Sequence, residues 1–291
     1  MAFEVSTYED LKKVGTGVDG WTLDADYIQT ADIDASASHT ENPDGSGGYY
    51  GFLPIGNYSN KFKRTYNGQG HKISNLYINR PDTDYIGLFG AINGEVSNLG
   101  LVDADITGGS RVGGLCGYTY YGTITNCYST GNVTGSNNVG GLCGCNNLGT
   151  ITNCYSTGSV TGSRAGGLCG YTYYGTITNC YSTGSVLGNY SIGGLCGINN
   201  SGTITNCYWD TETSGQSISS GGEGRTTAEM TYPYAENTYI NWDFLNVWHN
   251  DIIGNNNGYP VLLVFIDKYI ITKSATNITR NSAILQGKVV L

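Results

Sequence analysis

The chain has 291 residues and a formal net charge of −9, from 14 Lys and Arg against 23 Asp and Glu. That balance argues against a nucleic-acid partner, because phosphate binding needs a Lys/Arg-rich face to release counterions, and it disfavours an anionic membrane surface. Forty-five glycines without a three-residue period exclude collagen; with 24 tyrosines and 13% charged residues they indicate short strands joined by tight corners.

No apolar run approaches the roughly 20 residues that span a bilayer, so no membrane insertion is expected. Met1-Ala2-Phe3-Glu4 has neither the basic nor the apolar region of a signal peptide. Either a signal has been removed or the protein is delivered without one, as a virion protein is.

In chain order, Ser6 or Thr7 followed by Glu9 and Asp10 is a helix start, and Tyr8, Leu11 and Val14 form one apolar stripe. The expected helix over 6–15 would lid the first coil, making residues 1–20 an N-terminal cap. Residues 21–210 are dominated by an internal repeat. Gly-Leu-Cys-Gly begins at Gly114, Gly141, Gly167 and Gly194, after a Gly-Leu-Phe-Gly variant at Gly87, so successive starts are 26 or 27 residues apart. A second block, Thr-Ile-Thr-Asn-Cys-Tyr, begins at Thr123, Thr150, Thr176 and Thr203 in the same phase. Its asparagines are Asn126, Asn153, Asn179 and Asn206, with Asn98 and Asn75 as degenerate predecessors.

Short β-branched runs between glycine corners, with no helical periodicity, exclude helical arrays, and the period is too short for a propeller blade. The expected fold is all-β: a right-handed parallel β-helix (β-solenoid) of 26–27-residue coils, with an N-terminal helical cap and a C-terminal cap. The residue after each asparagine reads Leu76, Leu99, Cys127, Cys154, Cys180 and Cys207, an apolar inward column. Ile73, Val96, Ile124, Ile151, Ile177 and Ile204 form another. The asparagines between them are expected at a bend, stacked as a structural ladder about 4.8 Å apart. Eight of the nine cysteines fall in two columns, which reads as buried free thiols, with vertical disulfides or metal as alternatives. Zinc is disfavoured because Cys143-x-Cys145 is the only close pair and no histidine lies near it.

After Asp210 the repeat stops. A Ser/Gly-rich stretch leads into an aromatic segment with Trp242, Phe244, Trp248 and Tyr259-Pro260, so 211–266 is expected to be a linker and a lid on the far end. Residues 267–291 resemble the first strands of a fibronectin type III or immunoglobulin-like domain, or a tail for self-association through its strands.

The tetrads, with Tyr27–Asp34, Phe52–Gly56, Asn67–Leu76 and Cys207-Tyr208-Trp209-Asp210 around them, resemble the GLUG-motif family over roughly residues 20–265. The resemblance implies a bacterial or archaeal cell-surface, adhesin-type protein. GLUG repeats also accompany some IgA-cleaving metallopeptidases, whose His-Glu-x-x-His zinc helix has no counterpart around His39, His71 or His249.

The expected function is a non-catalytic cell-surface adhesin or stalk module without cofactor or metal, extracellular or alternatively on a virion. Its partner would be a surface glycan or protein. Tyr77, Tyr128, Tyr155, Tyr181 and Tyr208 are expected to stack outside as a ridge. The candidate ligand-binding residues are Tyr118, Tyr120, Tyr121, Tyr171, Tyr173 and Tyr174, in two loops two coils apart, since tyrosine gives rigid amphipathic contact area. Alternatives are a virion tail-fibre solenoid, a polysaccharide-acting β-helix enzyme, and an ice-binding face of Thr-x-Thr rows. The enzyme would need paired carboxylates, and Asp and Glu are nearly absent from the most regular repeats.

Overall fold

The computed structural model describes residues 2–252, 254 and 256–266. Beyond these it gives only the backbone of four short strands, Ile271–Thr272, Thr276–Thr279, Ser282–Ile284 and Gly287–Lys288, in two antiparallel pairs. The expected fibronectin- or immunoglobulin-like start otherwise lies outside the described residues.

Successive coils stack their strands into three parallel sheets, so the chain is an all-β parallel solenoid. One sheet has eight strands, from Phe3–Val5 through Tyr27–Gln29, Thr65–Asn67 and Glu95–Ser97 to Thr203–Thr205. In the regular coils Thr123, Thr150, Thr176 and Thr203 stand directly above one another, as do Ile124, Ile151, Ile177 and Ile204. A second sheet runs from Ile33–Asp34 to Glu223–Arg225. The third holds Phe89–Ile92, Cys116–Tyr120, Cys143–Asn147, Cys169–Tyr173 and Cys196–Asn200.

The interior is a set of apolar files. Leu88, Leu115, Leu142, Leu168 and Leu195 are fully buried, as are Leu99, Cys127, Cys154 and Cys180. All nine cysteines are free and buried. Cys127, Cys154, Cys180 and Cys207 donate their thiols to the carbonyls of Thr125, Thr152, Thr178 and Thr205 at 3.2 Å, which satisfies corner carbonyls inside the core. The tetrad glycines are required by close approach: a Cβ on Gly141 would meet the Gly167 carbonyl and the Ser156 hydroxyl of neighbouring strands.

Asn98, Asn126, Asn153, Asn179 and Asn206 form one file, each with φ between 51° and 54°. Asparagine tolerates this left-handed backbone better than other side-chain-bearing residues. Each amide donates to the carbonyl of the one before: Asn126 to Asn98 at 3.1 Å, Asn153 to Asn126 at 3.2 Å, Asn179 to Asn153 and Asn206 to Asn179 at 3.4 Å. Asn75, expected in this file, is not part of it. Thr65–Asn67 pairs with Glu95–Ser97, which puts Asn67 level with Ser97 and Gly68 level with Asn98; the Asn98 amide donates to the Asn67 amide oxygen at 3.0 Å and so ends the ladder. Lys72–Ser74 pairs instead with Gly100–Val102, which moves Asn75 to the next corner and onto Asp34 at 3.0 Å. Ile73 is therefore level with Leu101 rather than Val96, and Tyr77 with Asp105. Tyr77 leaves the expected ridge and stacks on His39, with ring centroids 4.5 Å apart. Two similar tetrapeptides, Ile-Ser-Asn-Leu and Val-Ser-Asn-Leu, occupy different corners, because backbone pairing and not local sequence sets the register.

The ends also depart from expectation. The helix is present at Tyr8–Lys13, with Thr7 as N-cap and Asp10 completing a capping box. Phe3–Val5 nevertheless already pairs with Tyr27–Gln29, so the solenoid begins within the expected cap. At the other end Glu223–Arg225 pairs with Tyr208–Asp210 and extends the second sheet. The aromatic segment does not lid the end but runs back along the flank. Tyr128, Tyr155 and Tyr181 do stack on the outside, with centroids 4.8 and 4.9 Å apart and ring planes nearly parallel. They are buried, however, under Met230, Tyr239, Trp242, Trp248, Tyr259 and Leu262. Tyr181 donates to the Pro260 carbonyl at 2.8 Å, and Trp242 donates its indole N–H to the Asn206 carbonyl at 2.9 Å. A file of ring faces is too much apolar area to leave in water, and the arm covers it.

Candidate functional site

With the Tyr128–Tyr208 ridge covered, a cluster of accessible aromatic side chains remains on and beside the third sheet. Tyr118, Cys145 and Tyr171 occupy one register position there, and Tyr120 and Asn147 another, with Tyr173 on the following rung. Facing them across a glycine corner is a second file, Arg111, Asn138 and Arg164, set by the pairing of their neighbours Val112, Val139 and Ala165. These three residues all have left-handed φ, of 61°, 52° and 47°. Two coils with bulky aromatics and arginine thus flank one coil with a thiol and two amides. The middle coil is the notch.

The resulting groove has a volume of about 420 Å³ and is lined by Tyr58, Tyr85, Tyr118, Tyr171 and Tyr173 together with the arginine and asparagine files. Tyr58 comes from the Asn57–Asn60 turn, in which the Asn57 side chain accepts from the Ser59 and Asn60 amides at 3.0 and 2.9 Å. Its ring stacks on Tyr85 at 5.0 Å and touches Tyr118 at 5.8 Å. Tyr118 is fixed from below, because Asn147 donates its amide to the Tyr118 hydroxyl at 2.8 Å. Asn200 holds Tyr171 in the same way at 3.2 Å. The amide oxygens of Asn138 and Asn147 are buried and have no hydrogen-bond partner among the described residues. Such orphaned acceptors are uncommon in folded proteins and suit a ligand that brings donors.

Burial pushes the Tyr118 hydroxyl up to about 12, and it pushes the Cys145 thiol up to about 12 as well. Both are therefore protonated near neutrality, and Cys145 offers no thiolate nucleophile. A carboxylate, Asp84, stands at the groove edge 3.7 Å from Arg111. The three histidines stand apart: His39 on Tyr77, His71 3.1 Å from Asp32, and His249 in a short strand of the arm. No group of three His, Cys, Asp or Glu able to hold a metal occurs among the described residues.

The six expected tyrosines divide. Tyr118 is nearly buried and Tyr171 half-buried, so they form the walls. Tyr120 and Tyr173 are exposed at the rim, Tyr120 stacking parallel to Tyr118 with centroids 6.4 Å apart. Tyr121 and Tyr174 point away from the groove; Tyr121 lines a different depression, beside Arg64 and Glu95. Sequence reasoning missed Tyr58, Tyr85, Arg111, Asn138, Asn147 and Arg164. A usable signal was present in three of them, since Arg111, Asn138 and Arg164 each stand three residues before a Gly-Leu-Cys-Gly tetrad. A larger recess of about 630 Å³ lies beside the N-terminal helix, but its walls are largely apolar and its two cationic side chains are engaged within the protein. There Lys12 pairs with Glu41 at 2.8 Å, and Arg80 lies against the Gly51 and Phe52 carbonyls.

No helix among the described residues is long and apolar enough to cross a membrane. The GLUG motif family matches at residues 108–134, 135–161 and 162–187. Halomucin from Haloquadratum walsbyi is 38% identical over 135 residues, which is 44% of this chain but 1% of that protein. A Gly-rich membrane protein from Evansella cellulosilytica is 46% identical over 81 residues, 26% of this chain and 9% of its own length. The chain thus spans a small part of both relatives. Among solved structures, a Bacteroides ovatus protein named as an immunoglobulin A1 protease superposes with a TM-score of 0.59 at 19% identity. That match covers 90% of this chain and 92% of the other, and it shows a shared fold alone. The chain is a parallel β-solenoid that carries three GLUG motif repeats.

Proposed function

We propose that this solenoid is a non-catalytic surface module that holds a glycan chain in the tyrosine groove. The observation that carries the reading is the notch: aromatic walls on either side of a floor bearing two unpaired amide oxygens. Sugar rings present apolar C–H faces to aromatic rings and hydroxyl donors at their edges, so one ligand meets both features. Tyr118 and Tyr171 are two rungs, about 10 Å, apart along the axis, which suits an extended oligosaccharide lying across the coils.

Catalysis is disfavoured by the residue types present. Glycoside hydrolysis needs two carboxylates about 5–9.5 Å apart across the bond, and no Asp or Glu is among the described residues that line the groove. A location at the cell surface is supported by the word membrane in the name of the Evansella relative and by the GLUG motifs. The test is a glycan array comparing the wild type with a Tyr120→Ala/Tyr173→Ala variant. Both positions are exposed, so folding is expected to survive. Binding that the double variant loses supports the groove, whereas a silent array, or binding equal in both proteins, refutes it.

A further inference from the structure

The groove carries a charge that the rest of the chain does not lead one to expect. Between Asp105 and Asp210 the sequence contains no Asp, Glu, Lys or His, and its only charged side chains are Arg111 and Arg164. Both line the same notch, on either side of Asn138 and about 10 Å apart. A third cation stands at the rim: the Lys61 ammonium is 4.7 Å from the centre of the Tyr58 ring and 5.5 Å from that of Tyr120. Among the described residues the carboxylate that pairs with one of these three is Asp84, 3.7 Å from Arg111. Arg164 has no carboxylate within 4.0 Å among the described residues and lies 6.0 Å from the Tyr190 ring. In a protein of net charge −9 this is a local positive site.

Structural need does not account for the arginines. They occupy a left-handed corner position that asparagine fills in the intervening coil and Ser191 in the next, so the backbone asks only for a residue tolerant of positive φ. Arginine is not favoured there. What it adds is a planar fork of donors that matches a carboxylate or sulfate.

Resting on the glycan reading above, we propose that the groove selects an acidic glycan, a sugar chain bearing a carboxylate or sulfate, with Arg164 and Arg111 holding the anionic groups. The hydroxyls of the same sugar supply the donors that the amide oxygens of Asn138 and Asn147 lack. A simple inorganic anion would leave those acceptors empty. Lys61 and the charge imbalance draw the ligand in, so affinity falls with added salt.

The experiment is isothermal titration of the intact chain with three probes: a short oligogalacturonate, the same oligosaccharide with its carboxyls reduced to alcohols, and a sulfated oligosaccharide of equal length. One or both charged probes are expected to bind about tenfold to a hundredfold more tightly than the neutral one, the range for one charge-assisted contact. Which charged probe is preferred identifies the substituent. Arg164→Gln is expected to remove most of that preference, weakening binding of the charged probes about tenfold or more and that of the neutral sugar far less. Circular dichroism of the variant separates loss of the contact from loss of fold, and Tyr173→Ala serves as a groove variant with both arginines intact. Equal affinity for charged and neutral sugars overturns the charge selectivity and leaves the glycan groove standing, and so does an Arg164→Gln variant that retains full preference. Failure of all three probes overturns both.

Discussion

Replacing Asn153 tests the corner that organises the solenoid. Its backbone has φ 52°, its amide donates to Asn126 at 3.2 Å, and its carbonyl accepts from Asn179 at 3.4 Å. Alanine would lose both bonds, at about 1 kcal/mol each net, and would add left-handed strain of about 1–2 kcal/mol. Asn153→Ala is therefore expected to cost about 3 kcal/mol. Glycine relieves the strain but not the lost bonds, so Asn153→Gly is expected to cost about 2 kcal/mol, including its small entropic penalty. Asn75→Gly provides the contrast, since Asn75 makes a single bond to the exposed Asp34 and should cost less than Asn153→Gly. Equilibrium urea unfolding followed by far-ultraviolet circular dichroism gives all three values. An alanine variant no less stable than the glycine one would refute the strain argument, and a cost near zero for both would refute the ladder.

The arm that covers the tyrosine ridge makes a second prediction. Tyr181 is fully buried, donates to the Pro260 carbonyl at 2.8 Å and accepts from the Asn256 amide at 2.7 Å. Tyr181→Phe removes both bonds, although Asn256 still donates to the Tyr259 and Pro260 carbonyls at 3.3 and 3.1 Å, and should loosen the arm by about 1 kcal/mol, seen as faster proteolysis within 226–266; unchanged cleavage there would contradict the docking. A third concerns acid. Burial by itself would raise the Asp10 carboxyl, but hydrogen bonds from Thr7 and Ser6 outweigh it and hold the group below its ordinary value. A carboxyl depressed in the folded state stabilises it fully above the unfolded value near about 3.9 and loses that contribution as pH falls through the folded one. The gap in melting temperature between the wild type and Asp10→Ala should therefore narrow below that value, and a gap independent of pH would contradict the capping role.

The repeat spacing was enough to place the regular coils by itself, because identical residues every 26 or 27 positions can pair in only one register without turning the Ile and Cys files outward. Inside and outside were legible for the same reason: leucine exchanging with cysteine marks a buried position whichever neighbours it meets. In the irregular coils the sequence was ambiguous. Asn75, in Ile-Ser-Asn-Leu, is the good local match to the ladder, yet the pairing of Thr65–Asn67 with Glu95–Ser97 and of Lys72–Ser74 with Gly100–Val102 puts it at another corner. Local composition carries no record of which strand lies alongside.

The tertiary structure alone decided which tyrosines remain free. Tyr155 and Tyr173 are the same residue type in the same repeats, yet one is buried by an arm more than 70 residues further along and the other stands in water. The groove likewise brings together Tyr58 of an early turn, Arg111 and Arg164 of two corners and Cys145 of the coil between them. Their proximity comes from stacking along the axis, a direction in which contacts join residues one or more full coils apart in sequence. The sequence wrote the coil; what lies across from it was settled only when the coils stacked and the arm folded back.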